Sequence, residues 1–198
     1  MSTDKVIWQQ IKDGSESAFR QLYDENADWL YSYGMKLVGN AELVAESIQQ
    51  VFVQLFEQRQ RMATPRSVKA HLGILLKQML HIGLIQEETE AWESFKNIGG
   101  DEDRFGLEVD IETTIVHSEL EREQVEQLQR EINGLTKQQR EVIYLKYYRN
   151  FNSDEIAEMM GITPRTVYNT AYSALTRLRE RLGVGCLVLI EGLRWAFA

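Results

Sequence analysis

Apolar side chains recur at steps of three and four along most of this chain, the spacing that gathers residues onto one face of a helix. Phe19, Leu22, Tyr23, Leu30, Tyr33, Met35 and Leu37 form one such stripe. Leu43, Val44, Ile48, Val51, Phe52, Leu55 and Phe56 form a second, between Ala41 and Gln60. Val68, Leu72, Leu75, Leu76, Met79 and Leu80 form a third, ending near Gln86. The punctuation agrees with the stripes. There are 2 prolines in 198 residues, and both follow threonine, at Thr64-Pro65 and Thr163-Pro164. Threonine as N-cap with proline at the first helical position is a start signal, because that position needs no N–H and the ring presets φ. Asp13 and Glu16 have capping-box spacing before the first stripe, and Gly39-Asn40 divides the first two helices. The pattern predicts an all-α fold and argues against a sandwich of short strands.

The periodicity fails from Glu87 to about Thr113, where Gly99-Gly100-Asp101-Glu102-Asp103 is polar, acidic and glycine-bearing. This reads as a linker between domains. Helical spacing returns over Thr114 to Asn133, stopped by Gly134. Thr136 and Gln139 make a capping-box pair ahead of a helix from Arg140 to Tyr148. Ser153 caps Asp154 to Met160, Gly161 suits the left-handed position after it, and Thr163-Pro164 opens a last helix to about Leu182. The charge follows the same divisions. The chain carries −8, with −3 in residues 1–90, −8 in 91–133 and +3 in 134–198. Such block asymmetry marks a modular chain. The expected organisation is two small helical domains, 1–88 and 113–183, joined by an acidic linker, 89–112. An apolar tail follows at 184–198, which either folds back on the second domain or docks a partner.

Several classes of protein are excluded by what the chain contains. Its one cysteine, Cys186, forms no internal disulfide and has no zinc-site neighbours. Met1 to Lys5 lacks the basic-then-apolar layout of a signal peptide, and the longest apolar run, Cys186 to Ile190, is too short to span a bilayer. A cytoplasmic protein with no membrane association is expected. Catalysis needs a nucleophile, base or metal set brought together. His71, His81 and His117 are scattered, and Gly99-Gly100 runs into acidic residues, the wrong charge for a phosphate loop. The carboxylates from Glu119 to Glu126 read as a solvated helix face. No catalytic residue, metal or cofactor is expected.

The segment from Ser153 to Arg181 carries the clearest motif. Ile156, Ala157, Met160, Ile162, Val167, Leu175 and Leu178 are spaced to share one core across two helices and a Gly-Ile-Thr turn, the layout of a helix-turn-helix. The groove-facing side of its second helix would be Thr163, Pro164, Arg165, Thr166, Tyr168, Asn169, Tyr172 and Ser173. Arginine and asparagine there can read base edges. Arg177, Arg179 and Arg181 suit phosphates or a protein partner.

The order of residues goes further than the motif. Ile132-Asn-Gly-Leu-Thr-Lys-Gln-Gln-Arg-Glu-Val-Ile-Tyr-Leu-Lys-Tyr-Tyr, Asp154-Glu-Ile-Ala-Glu-Met-Met-Gly-Ile-Thr-Pro-Arg-Thr-Val and Ala174-Leu-Thr-Arg-Leu-Arg-Glu-Arg-Leu resemble the C-terminal domain of extracytoplasmic-function (ECF) sigma factors of the sigma-70 family. Ala18-Phe-Arg-Gln-Leu-Tyr and Ala45-Glu-Ser-Ile-Gln-Gln-Val-Phe-Val-Gln-Leu-Phe resemble the family's N-terminal domain. The resemblance implies partners: core RNA polymerase, through its clamp and flap, and promoter DNA. It implies that Glu46, Gln49, Gln50, Gln54 and Glu57 face the clamp, with Val51, Phe52 and Leu55 packed inside. It implies that Arg61, Arg66, Lys69, Lys77 and Gln78 lie along the DNA near the start site. Thr163, Arg165, Thr166, Tyr168, Asn169, Tyr172, Ser173 and Arg177 then serve the upstream element.

The chain also departs from the family. An Arg-Asn pair is usual on the third helix, and here Lys77-Gln78 aligns with it. A later basic cluster is replaced by Gly83-Leu-Ile-Gln-Glu-Glu-Thr-Glu. Tyr168 and Ser173 stand where the family often has basic residues. Each lost cation weakens phosphate binding. Two expectations follow from this thinning: an ordinary sigma with an unusual promoter, or one whose address comes from a partner. That partner would be an activator or a DNA-targeting protein, including a nucleic-acid-guided one. An anti-sigma factor is a further candidate partner. The alternative from another class is a helix-turn-helix transcriptional regulator that does not bind polymerase.

Overall fold

In a computed structural model of the protein, the residues described are 3–86, 105–107 and 119–182, with side chains for 5–85, 105–107 and 126–182. Every regular element among them is helical. The chain forms two compact units, Met1–Asp101 and Glu102–Ala198. The rest of the linker, the helix start at 114–118, His117, most side chains of the acidic face and the tail at 184–198 with Cys186 lie outside the described residues.

The first unit holds α1 (Thr3–Lys12), α2 (Glu16–Val38), α3 (Ala41–Gln58) and α4 (Val68–Gln86). Helix α1 goes beyond the sequence reading. Ile7, Trp8 and Ile11 are buried, but the stripe is too short to register against its neighbours. The start of α2 is a correction: its N-cap is Ser15, whose hydroxyl accepts from the Ala18 amide at 3.3 Å. Asp13 instead accepts from the Gln9 side chain at 3.0 Å. Gly39 ends α2 at φ +69° and Asn40 caps α3 by accepting from the Glu42 and Leu43 amides, so one dipeptide closes one helix and opens the next. Thr64-Pro65 does not open α4. The helix begins three residues later, where the Ser67 hydroxyl accepts from the Ala70 amide at 3.3 Å; Pro65 belongs to the connection before it.

Leu30, Tyr33, Val44, Val51, Leu72, Leu76 and Leu80 meet in the core with essentially no exposed surface. Helices α2 and α3 approach closely at Gly34, where a Cβ would stand 2.7 Å from Val44 Cγ1. Helix α4 is long and apolar enough to cross a membrane by length and composition, over Val68–Ile85, but in this unit its Ala70, Leu72, Leu76 and Leu80 side chains are buried. It packs on both α2 and α3.

The second unit holds α5 (Glu119–Asn133), α6 (Lys137–Ile143), a π-helical turn (Tyr144–Tyr148), α7 (Ser153–Met160) and α8 (Pro164–Leu182). Thr136 and Gln139 form the expected capping box of α6. Helix α7 is capped by Asn152, in a capping box with Glu155, and not by Ser153. Gly161 takes the left-handed conformation at φ +65°. Thr163 accepts from the Thr166 amide at 3.1 Å to start α8. The core uses Ile156, Ala157, Met159, Val167, Ala171, Ala174 and Leu178; Met160, Ile162 and Leu175 are only half-buried.

The expected linker at 89–112 needs its own correction. Phe105 and Leu107, inside that span, are each 1% exposed. They belong to the second unit. Arg140, itself buried, donates from Nε to the Phe105 carbonyl at 2.8 Å, and from Nη1 to the carbonyls of Asn133 and Leu135 at 2.9 and 2.6 Å. Gln129 donates to the Leu107 carbonyl at 2.9 Å. The Phe105 ring meets Tyr144 edge-on, 5.6 Å between centroids. A buried guanidinium is tolerated because carbonyls replace its water.

Candidate functional site

Two surfaces, one on each unit, gather the residues singled out in the sequence. On the first unit, capping by Asn40 fixes the start of α3, and burial of Val51, Phe52 and Leu55 fixes its rotation. Glu46, Gln49, Gln50 and Glu57 are then exposed on the opposite side. Gln54 departs from that set: it is half-buried, with its Oε1 buried and without a hydrogen-bond partner.

Beside this face lies a groove of about 660 Å³ between α2 and α3. Its floor is aromatic. Phe19 meets Phe52 and Phe56 edge-on at 5.9 and 5.4 Å, and Tyr23 meets Phe52 at 4.9 Å. Tyr23, Val53 and Phe56 keep about two-fifths of their surface exposed. The rim carries Glu16, Gln49 and Glu57. The sequence placed Phe19, Tyr23 and Phe56 in apolar stripes without revealing this groove, since periodicity does not tell a covered stripe from an open one.

The set expected along DNA near the start site divides. Arg61, Arg66 and Lys69 are exposed around the connection from α3 to α4. Lys77 is half-buried and its Nζ sits 5.7 Å from the centre of the Tyr33 ring, a cation–π distance. Gln78 is exposed beside it. His71 packs edge-on against Trp8 at 5.7 Å. Among the described residues no three His, Cys, Asp or Glu side chains are placed to hold a metal ion.

On the second unit, α8 buries Val167, Ala171, Ala174 and Leu178. Arg165, Tyr168, Asn169 and Tyr172 consequently share the exposed side. The two tyrosines are each 64% exposed, and their rings stack at 6.4 Å with planes 15° apart. Thr163 and Thr166 are joined hydroxyl to hydroxyl at 2.8 Å. Ser173 accepts from Gln139 at 2.9 Å and donates to the Thr170 carbonyl. These three are engaged within the protein, and Arg177 lies over Gly134. In the π-helical turn, which packs against α7, burial pushes the Tyr144, Tyr147 and Tyr148 hydroxyls up. Tyr148 reaches about 12, raised first by burial and then by Tyr144; for Tyr144 the charge of Arg149 opposes the rise.

Comparison with known proteins agrees with this geometry. Residues 125–178, which hold α6, α7 and most of α8, match the profile of the family described as Sigma-70, region 4. A curated relative, the ECF RNA polymerase sigma factor SigL of Mycobacterium tuberculosis, is 28% identical over 169 residues, covering 83% of this chain and 90% of the relative. Residues 125–178 thus form a sigma-70 region 4, and the chain is similar along most of its length to an ECF sigma factor. It is a helix-turn-helix protein of transcription initiation. Among solved structures, the chain matches CnrH, determined in complex with the cytosolic domain of CnrY. The TM-score is 0.57 at 16% identity, over 89% of this chain and 95% of that one. It also matches RpoE of Bartonella quintana, determined in complex with the anti-sigma factor NepR. There the TM-score is 0.54 at 17% identity, over 84% and 97%. At these identities the structural matches speak for the fold.

Proposed function

We propose that this ECF sigma factor holds core RNA polymerase firmly but reads promoters weakly by itself, so that a partner supplies the target site. The observation that carries the reading is the contrast between its two kinds of surface. The α3 face and its aromatic groove are open and acid-rimmed, suited to a polymerase clamp helix that offers apolar and basic side chains. Residues 1–88 would serve the clamp and the DNA near the start site. Residues 113–183, together with Phe105–Leu107, would serve the flap and upstream DNA.

The DNA-facing side is thin by comparison. Lys77 is half-buried with its Nζ over the Tyr33 ring, and Arg165 is the one cation among the exposed residues of the first turns of α8. Few cations mean few released counterions and low affinity. The partner would be an activator or a DNA-targeting protein, a nucleic-acid-guided one included. An anti-sigma factor, such as the NepR bound to the structural neighbour RpoE, is a separate candidate that would cover the polymerase-binding face. The site of action is the cytoplasm. No observation favours a helix-turn-helix regulator that works without polymerase.

The test is transcription from a random promoter library by purified protein and core polymerase alone. Stable polymerase binding with no strong promoter consensus is the expected result. A strong consensus and efficient melting with no other factor overturn the dependent reading.

A further inference from the structure

The exposed side of α8 points to a base preference. The inference rests on the reading that α8 enters the major groove. Burial of Val167, Ala171 and Ala174 sets the rotation of the helix, which leaves Arg165, Tyr168, Asn169 and Tyr172 outward. Within that strip the polar capacity is small. Thr166 is held by Thr163 and Ser173 by Gln139. What remains is one arginine, one asparagine and two stacked rings, each 64% exposed.

The stacking matters energetically. Each ring restricts the other, so less rotamer freedom is left to lose on contact, and tyrosine has only two χ angles to begin with. A pre-ordered apolar surface on a groove-reading helix has one apolar target on the bases, the C5-methyl of thymine. Asn169 lies next to Tyr168 in sequence and on the same exposed side, and asparagine pairs bidentately with the N6 and N7 of adenine. Both chemistries select the same base pair. We propose that α8 adds a preference for A·T-rich upstream DNA, too weak to specify a promoter by itself, with Tyr168 and Tyr172 packed on thymine methyl groups and Asn169 on an adjacent adenine. Such methyl contacts release no counterions, so this preference persists as salt rises while overall affinity falls.

The test uses the complete chain assembled with core polymerase. Upstream duplexes bound by this holoenzyme are selected from a random pool, and in the enriched sequences thymine is replaced by deoxyuracil one position at a time. Removing a buried methyl should lower affinity about fourfold at each contacted position. Tyr168→Phe and Tyr172→Phe keep the ring and should keep the uracil effect. Tyr168→Ala and Tyr172→Ala should each abolish it at one position, with circular dichroism unchanged because both side chains are on the surface.

A G·C-rich element, or an A·T-rich one indifferent to uracil, overturns the thymine reading and leaves the sigma assignment standing. Loss of uracil sensitivity in the Phe variants makes the hydroxyls the contact and overturns it as well. If the Ala variants lose polymerase and not DNA, the pair is a protein contact and the inference falls. If the unaltered chain fails to bind polymerase, it is the proposed function itself that fails.

Discussion

Replacing Arg140 by methionine tests how the second unit is held together. Methionine keeps much of the side-chain length and removes every donor. Three carbonyls lose a partner: Phe105 at 2.8 Å, Asn133 at 2.9 Å and Leu135 at 2.6 Å. Asn133 is exposed and can turn to water, whereas Phe105 and Leu135 are 1% and 2% exposed and cannot. Hydrogen bonds to a charged group contribute roughly 1.5–3 kcal/mol each, and a buried orphan carbonyl costs about 1–3 kcal/mol. Against this, the variant no longer desolvates a guanidinium. The net loss is about 3 kcal/mol, or roughly two orders of magnitude in the local opening constant.

Hydrogen exchange read by mass spectrometry on the full chain measures it directly. Peptides spanning 128–145 should lose about a hundredfold in protection, while peptides from α3 stay unchanged and serve as an internal control. A loss below fivefold in 128–145, or an equal loss in α3, would refute the reasoning: the guanidinium would then be a passive filler of the space it occupies. Arg140→Lys, which keeps the charge but not the planar fork, should fall between the two.

Four further outcomes are expected. Gly34→Ala should destabilise the first unit by about 1–3 kcal/mol, because its Cβ would stand 2.7 Å from Val44 Cγ1; urea unfolding followed by hydrogen exchange in α2 and α3 peptides reads this. Asn152→Ala should cost about 1 kcal/mol by removing the capping box of α7, visible as faster exchange of the Asp154 and Glu155 amides. The Tyr148 hydroxyl titrates at about 12 when folded and near the ordinary value of 10 when unfolded. The unfolded state therefore releases its proton first, and stability present below pH 10 drains away as pH rises toward 12. Tyr148→Phe should flatten that alkaline loss in a thermal melt series. Phe56→Ala, at the exposed edge of the aromatic groove, should weaken binding to core polymerase at least tenfold with little change in stability; unchanged affinity would remove the groove from the interface.

The helices were legible because their signals are local. Gly39-Asn40, Thr136 with Gln139, Gly161 and Thr163-Pro164 each specify an end through atoms within a few residues of one another. The misplacements came from competition between neighbouring caps. Ser15 outcompetes Asp13, Asn152 outcompetes Ser153, and Ser67 takes the role given to Thr64, since each winner sits one residue before the first helical turn. What could not be read was any feature created by two distant segments. Nothing local in Phe105-Gly-Leu says that Arg140, 35 positions on, will take its carbonyl. Nothing in the stripe of Phe19, Tyr23 and Phe56 says that it stays open as a groove. The same limit applies to Gln54, Lys77 and Ser173. Each stands in a pattern that points to an outside partner, yet Gln54 and Lys77 are half-buried and Ser173 is hydrogen-bonded to Gln139, through residues the pattern does not contain.

The bond between Phe105 and Arg140 also bears on how such proteins exchange parts. The match to region 4 begins at residue 125, and a recombination joint placed there, or anywhere up to residue 108, would separate the buried phenylalanine from its arginine. A chimera made by grafting this region 4 onto another sigma factor would inherit a charged side chain with an empty slot beside it. The viable crossover lies upstream of residue 105, inside what reads by composition as spacer. The heritable module is thus longer than the domain its sequence displays.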